Sequence, residues 1–118
     1  MKYVMMFADT PEFEATLAAM DDAERARSTG RVMAWFAEHE DKVTYHERLM
    51  PPDSATTIRL DRDEPLVTDG PYVEGKEVVS GIAEVDVADL DEALRMARSW
   101  PGCPIVEIRP VMEIPAFG

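Results

Sequence analysis

Asp69 heads the run DGPYVEGKE, and any functional reading of this sequence turns on it. Asp-Gly-Pro suits a tight turn, in which the Asp side chain hydrogen-bonds its own backbone and Gly is free to take positive φ. A purely structural turn is therefore one reading. The other gives Asp69 a general-base or substrate-anchoring role, because a carboxylate in a partly apolar cleft can be tuned towards neutral pKa. Tyr72, Glu74, Lys76 and Glu77 follow closely enough to line the same cleft. Of these, Glu74 and Glu77 suit a solvated loop, and Lys76 between two acids suits an ion pair. Tyr72 and Lys76 are the loop's candidate ligand-binding residues. Arg109 is a third, with pairing to a nearby acid as its competing role.

The two histidines, His39 and His46, stand beside Glu38, Glu40 and Glu47. Their spacing matches no helical i, i+4 ligand pair and there is no HExxH, so no metal site is expected. No cofactor is expected either. Cys103 is the single cysteine, which excludes an internal disulfide and a Cys-based zinc site. It sits between Gly102 and Pro104 with no His near it in sequence, as a bystander thiol would.

The elements that must position these residues follow from periodicity. KYVMMFA (2–8) is apolar on both alternating faces and predicts a central strand. Thr10-Pro11 opens a helical turn. Asp21 caps a longer helix whose small and apolar positions Ala26, Gly30, Met33, Phe36 and Ala37 form one stripe. Strands are predicted over 42–49, 54–60 and 78–87, the last with Val79, Gly81, Ala83, Val85 and Val87 on one face. Asp89 caps a second helix with Leu90, Ala93, Leu94 and Ala97 inward. A final strand is predicted over 105–114. The order β-α-β-β-β-α-β predicts a single α+β domain, 1–118, with a ferredoxin-like sheet carrying its helices on one face. That leaves an apolar sheet face bare, and a second copy of the chain would cover it, so a homodimer is expected.

Length and charge narrow the function classes. At 118 residues, one core is expected and no staple is needed. The formal charge of −12 is spread along the chain and repels phosphate backbones, so no direct nucleic-acid binding is expected. No apolar run approaches the roughly 20 residues of a membrane span, and the first strand is too short for a signal peptide. No membrane partner and a cytoplasmic location are expected.

DGPYVEGKE (69–77), GIAEVDVADLDEALRMA (81–97), VEIRPVMEI (106–114) and PPDSATT (51–57), with KYVMMF at the start, resemble the DGPF group of YCII-related domain proteins. The resemblance implies a dimeric α+β-barrel of ferredoxin-like protomers. It also implies an association with extracytoplasmic-function sigma factors. In YCII-like relatives it implies a His–Asp pair in a cleft, with Asp69 matching the Asp. The helix position matching that His falls near Met33, where this chain has no histidine. The loop also departs from DGPFAETKE: Tyr72 stands for Phe, Val73 for Ala and Gly75 for Thr. Two function classes follow. One is a small-molecule enzyme or ligand binder with Asp69 at a cleft. The other is a non-catalytic regulatory or interaction module.

Overall fold

A computed structural model of the chain describes residues 1–71 and 77–114. Strand β1 (Lys2–Asp9) is followed by helices α1 (Pro11–Ala19) and α2 (Asp22–Glu38), then β2 (Val43–Arg48). A hairpin of β3 (Thr56–Arg59) and β4 (Leu66–Asp69) comes next, then β5 (Val78–Asp86), α3 (Leu90–Arg98) and β6 (Ile105–Pro110). Strands β2-β5-β1-β6 form one sheet in which all three neighbouring pairs are antiparallel, the ferredoxin-like order, and β3-β4 form a separate two-stranded sheet.

Each helix begins on a polar side chain that accepts a backbone N–H three residues on. Thr10 takes Phe13, Asp21 takes Glu24 and Asp89 takes Glu92. These satisfy donors that a helix start leaves open. Asp21 and Asp89, the caps read from the sequence, are thus the observed ones, and the turn expected at Thr10-Pro11 is a nine-residue helix that Thr10 caps.

The core lies on the helix side of the sheet. Tyr3, Met5 and Phe7 of β1 are buried with Ala83, Val85 and Val87, against Trp35 of α2 and Ala93 and Met96 of α3. β1 is central, as its two apolar faces require. Its other face, with Val4 and Met6, is only partly covered.

Several sequence expectations are corrected. In α2 the stripe Ala26–Gly30–Met33–Ala37 is exposed, Met33 at 66%, and Trp35 is the buried residue. The wide indole reaches the core and turns the helix so that Ser28, Thr29, Val32 and Phe36 face a cavity instead. In α3 the centre is Ala93 and Met96, while Leu90 is 47% exposed. Val79 leaves the buried row because the β1–β5 register shifts after Phe7, pairing Ala8 with Val79 and skipping Ser80. β6 stops at Pro110, which has no N–H to donate, and residues 111–114 are not strand. Among the described residues no helix is long and apolar enough to cross a membrane.

Candidate ligand-binding cavity

The register shift beside Phe7 gives the sheet a polar end. Ser80, the skipped residue, places Oγ 2.9 Å from Asp9 Oδ1 and donates to it. Gly81, directly opposite Phe7, keeps the floor open there. A Cβ on it would stand 3.2 Å from the Glu47 carbonyl oxygen and 3.6 Å from the Phe7 ring.

Over this floor α1 and α2 make the roof. α1 contributes Phe13 and Leu17, four residues apart and so on one face. The elbow between the helices is held by Arg25, which donates to the carbonyls of Leu17 at 3.1 Å and Met20 at 3.2 Å. From α2 come Ser28, Thr29, Val32 and Phe36. The partly open cavity so formed holds about 260 Å³.

Its back wall is aromatic. Trp100 stacks on Phe7 with ring centroids 4.2 Å apart and planes 26° off parallel, and meets Phe36 and Trp35 edge-on. Phe36 stacks on His46, which β2 supplies from the edge of the sheet. Gly102 lies under the Trp100 ring; a Cβ there would come within 2.7 Å of the indole. The Trp100 indole nitrogen is buried without a hydrogen-bond partner among the described residues. Cys103 also lines the wall. Burial pushes its thiol up, against a smaller opposite pull from the neighbouring Trp100 indole, so it stays a thiol at neutral pH.

The polar groups are dispersed. His46 stands opposite Ala83, which stands opposite Met5, while Asp9 is four residues further along β1. At about 3.3 Å per residue the two are offset by roughly 13 Å along the sheet, in addition to the width of two strand spacings. They sit at opposite ends of the cavity and do not form a hydrogen-bonded acid–base pair. Arg48, opposite Gly81 and so level with Phe7, lines this cavity and also an adjoining open concavity of about 640 Å³. It makes no ion pair among the described residues, in a chain of net charge −12.

A family model, the YCII-related domain, matches residues 1–115, nearly the whole of this chain. The chain belongs to the YCII-related domain family. An uncharacterised protein of Rhizobium meliloti (strain 1021) is 41% identical to this YCII-related chain over 68 residues. That match spans 54% of the chain and 55% of the relative, about half of each. A solved structure, the 5-chloro-2-hydroxyhydroquinone dehydrochlorinase of Burkholderia phenoliruptrix AC1100 in complex with 2,5-dihydroxybenzoquinone, superimposes with a TM-score of 0.57. It covers 95% of this chain and 94% of its own at 9% identity, a likeness of fold.

Against this cavity the residues singled out from sequence divide. His46, Phe36 and Cys103 converge on it, beside Trp100. Asp69 does not line it: it is exposed at the end of β4, opposite Thr56, and the turn after it uses Gly70 at φ 108°. Arg109 is exposed on β6 opposite Val4, on the sheet face away from the helices. Tyr72 and Lys76 lie outside the described residues. His39 closes α2, its Nδ1 2.8 Å from the Trp35 carbonyl oxygen. Among the described residues no three His, Cys, Asp or Glu side chains are grouped as a metal would need. Sequence reasoning missed Asp9, Ser80, Arg48, Ser28 and Thr29. A signal existed for two of them: Ser28 and Thr29 precede Val32 and Phe36 at helical spacing, polar residues on an otherwise inward face.

Proposed function

We propose that this protein binds a small planar organic molecule, carrying one anionic substituent, in the cavity between the sheet and α1–α2. The carrying observation is the cavity's composition. It offers flat aromatic faces at Phe7, Phe36 and Trp100, with hydrogen-bonding groups at its ends and the guanidinium of Arg48, which makes no ion pair among the described residues. Rings favour offset-stacked or edge-on neighbours, and both geometries are already present in the wall. Size agrees. A dry cavity of about 150 Å³ takes benzene and drug-sized pockets begin at about 300 Å³. The 260 Å³ here suits a single substituted ring. Any catalysis would be proton transfer at one end of the bound ring, by Asp9 with its Ser80 hydrogen bond or by His46, since the two cannot act on the same atom.

The dihydroxybenzoquinone in the fold neighbour makes hydroxylated rings the first probes to try. The test is calorimetric titration with 2,5-dihydroxybenzoate and with neutral hydroquinone, on the wild type, Arg48→Gln and Val32→Phe. Binding of both probes to the wild type is expected. Arg48→Gln should weaken only the benzoate, and Val32→Phe, which fills the space while keeping an apolar helix face, should abolish both. Equal affinity in Val32→Phe and wild type would remove the cavity from consideration. Conversion of either probe, followed by absorbance, would separate an enzyme from a binding protein.

A further inference from the structure

Two opposite charges flank the cavity, and neither is spent on the other. Asp9 of β1 and Arg48 of β2 both line it, on the two strands that border β5. Arg48 is level with Phe7, and Asp9 is two residues further along β1. At about 3.3 Å per residue and two strand spacings across, their backbones are roughly 12 Å apart. No ion pair joins them, and neither makes another among the described residues.

The other guanidinium and carboxylate of the lining are engaged or turned away. Arg25 donates to the Leu17 and Met20 carbonyls. Glu47, between His46 and Arg48 on β2, points to the opposite face of the strand. Asp9 is half-buried and held for use. Ser80 Oγ donates to its Oδ1 at 2.9 Å, with the Phe7 carbonyl oxygen a weaker second acceptor at 3.4 Å. The Ser80 carbonyl in turn accepts from the Leu49 N–H at 2.9 Å, which fixes the serine from the β2 side. Asp9 Oδ2 has no partner among the described residues.

We infer, resting on the ring-and-anion reading of the cavity, that Asp9, oriented by Ser80, selects rings carrying a hydroxyl opposite the acid that Arg48 holds. Charge sets the direction. A carboxylate only accepts hydrogen bonds, so its complement must donate, and it repels a second acid. Ser28 and Thr29 on the roof can donate or accept, and so discriminate less. A ring without the hydroxyl would cover Asp9 and leave its oxygen unmatched, which is how sites built for a hydroxyl reject analogues lacking it. Asp9 makes the contact, and Ser80 is a positioning residue.

Calorimetric titration with para-hydroxybenzoate, ortho-hydroxybenzoate and benzoate tests it. The wild type should prefer the para isomer to benzoate by about 10- to 100-fold, the worth of one hydrogen bond to a charged group. The ortho isomer, whose hydroxyl lies beside the acid, should bind like benzoate. Asp9→Ala should erase the preference, Ser80→Ala should narrow it, and Ser80→Thr, which returns a hydroxyl, should restore it. Arg48→Gln should weaken all three ligands and leave the preference in place. Glu14→Gln removes a charge from the adjoining concavity only and should change nothing. No preference in the wild type overturns the inference and leaves the cavity reading intact. So does a preference that survives undiminished in Asp9→Ala or Ser80→Ala, or that Glu14→Gln also erases, and so does binding of hydroquinone with none of the three acids. Failure of hydroquinone and the acids alike would overturn the cavity reading and this inference together.

Discussion

Phe36 and His46 lie face to face, ring centroids 4.0 Å apart and planes 19° off parallel, so that α2 and the edge strand β2 meet through one stacked pair. His46→Ala removes that contact and should cost on the order of 1 kcal/mol. His46→Phe keeps a flat ring in the stack, slightly larger and without the ring nitrogens, so it should recover the stability. Urea unfolding of the three proteins decides this. A His46→Phe variant as unstable as His46→Ala would mean that the imidazole acts through a hydrogen bond.

Gly102 is required by the indole beside it, because a Cβ would stand 2.7 Å from Cζ2 of Trp100, closer than real contacts allow. Gly102→Ala should displace that ring and destabilise the fold by about 1–3 kcal/mol. Tryptophan emission should shift with it, read by denaturation with fluorescence detection. An unchanged midpoint and spectrum would show that the 101–103 turn yields instead of the ring.

Trp35 Nε1 donates within the core, 3.1 Å from the Met96 carbonyl oxygen and 3.0 Å from Ser99 Oγ. Trp35→Phe loses the donor and leaves a cavity where the larger ring was. The expected loss is about 2–4 kcal/mol, combining an unmade buried hydrogen bond with the missing volume. A loss under about 1 kcal/mol would show that the end of α3 re-satisfies itself.

Lys42 Nζ stands 3.0 Å from Glu92 Oε1, tying the entry to β2 to the first turn of α3. The hydrogen bond from Lys42, with a backbone N–H from Ala88, holds the Glu92 carboxyl below its ordinary 4.5. A lowered carboxyl pKa stabilises the fold above the unfolded value and ceases to do so as pH falls through the folded one. The same contact holds Lys42 above 10.5, so its contribution is complete below that value and disappears as pH rises through the folded pKa. Glu92→Gln should therefore be less stable than wild type at pH 7, with the gap closing in acid. A gap that persists well below pH 4 would assign the effect to packing instead of charge.

The fold was legible where local chemistry is decisive. Thr10, Asp21 and Asp89 announce helix starts because a free N–H must be met nearby, and β1 announces itself as central through two apolar faces. The cavity was less legible because it depends on register. Asp9 reads as an unremarkable end to an apolar strand until the shift after Phe7 brings Ser80 to it. Ser28 and Thr29 share a helix face with Val32 and Phe36, but that face points at the cavity only because Trp35 occupies the core. Asp69 drew notice through its sequence context, and the structure puts it at the exposed end of β4, away from the cavity.

The two indoles, Trp35 and Trp100, are held 5.0 Å apart with their planes 86° from each other. These are the only tryptophans in the chain. Fixed in one handed arrangement, their electronic transitions couple, and the pair gains circular dichroism in the aromatic bands that disappears once the rings move independently. Because Trp100 walls the cavity while Trp35 sits in the core, one unlabelled spectrum follows both the occupancy of the site and the integrity of the packing behind it.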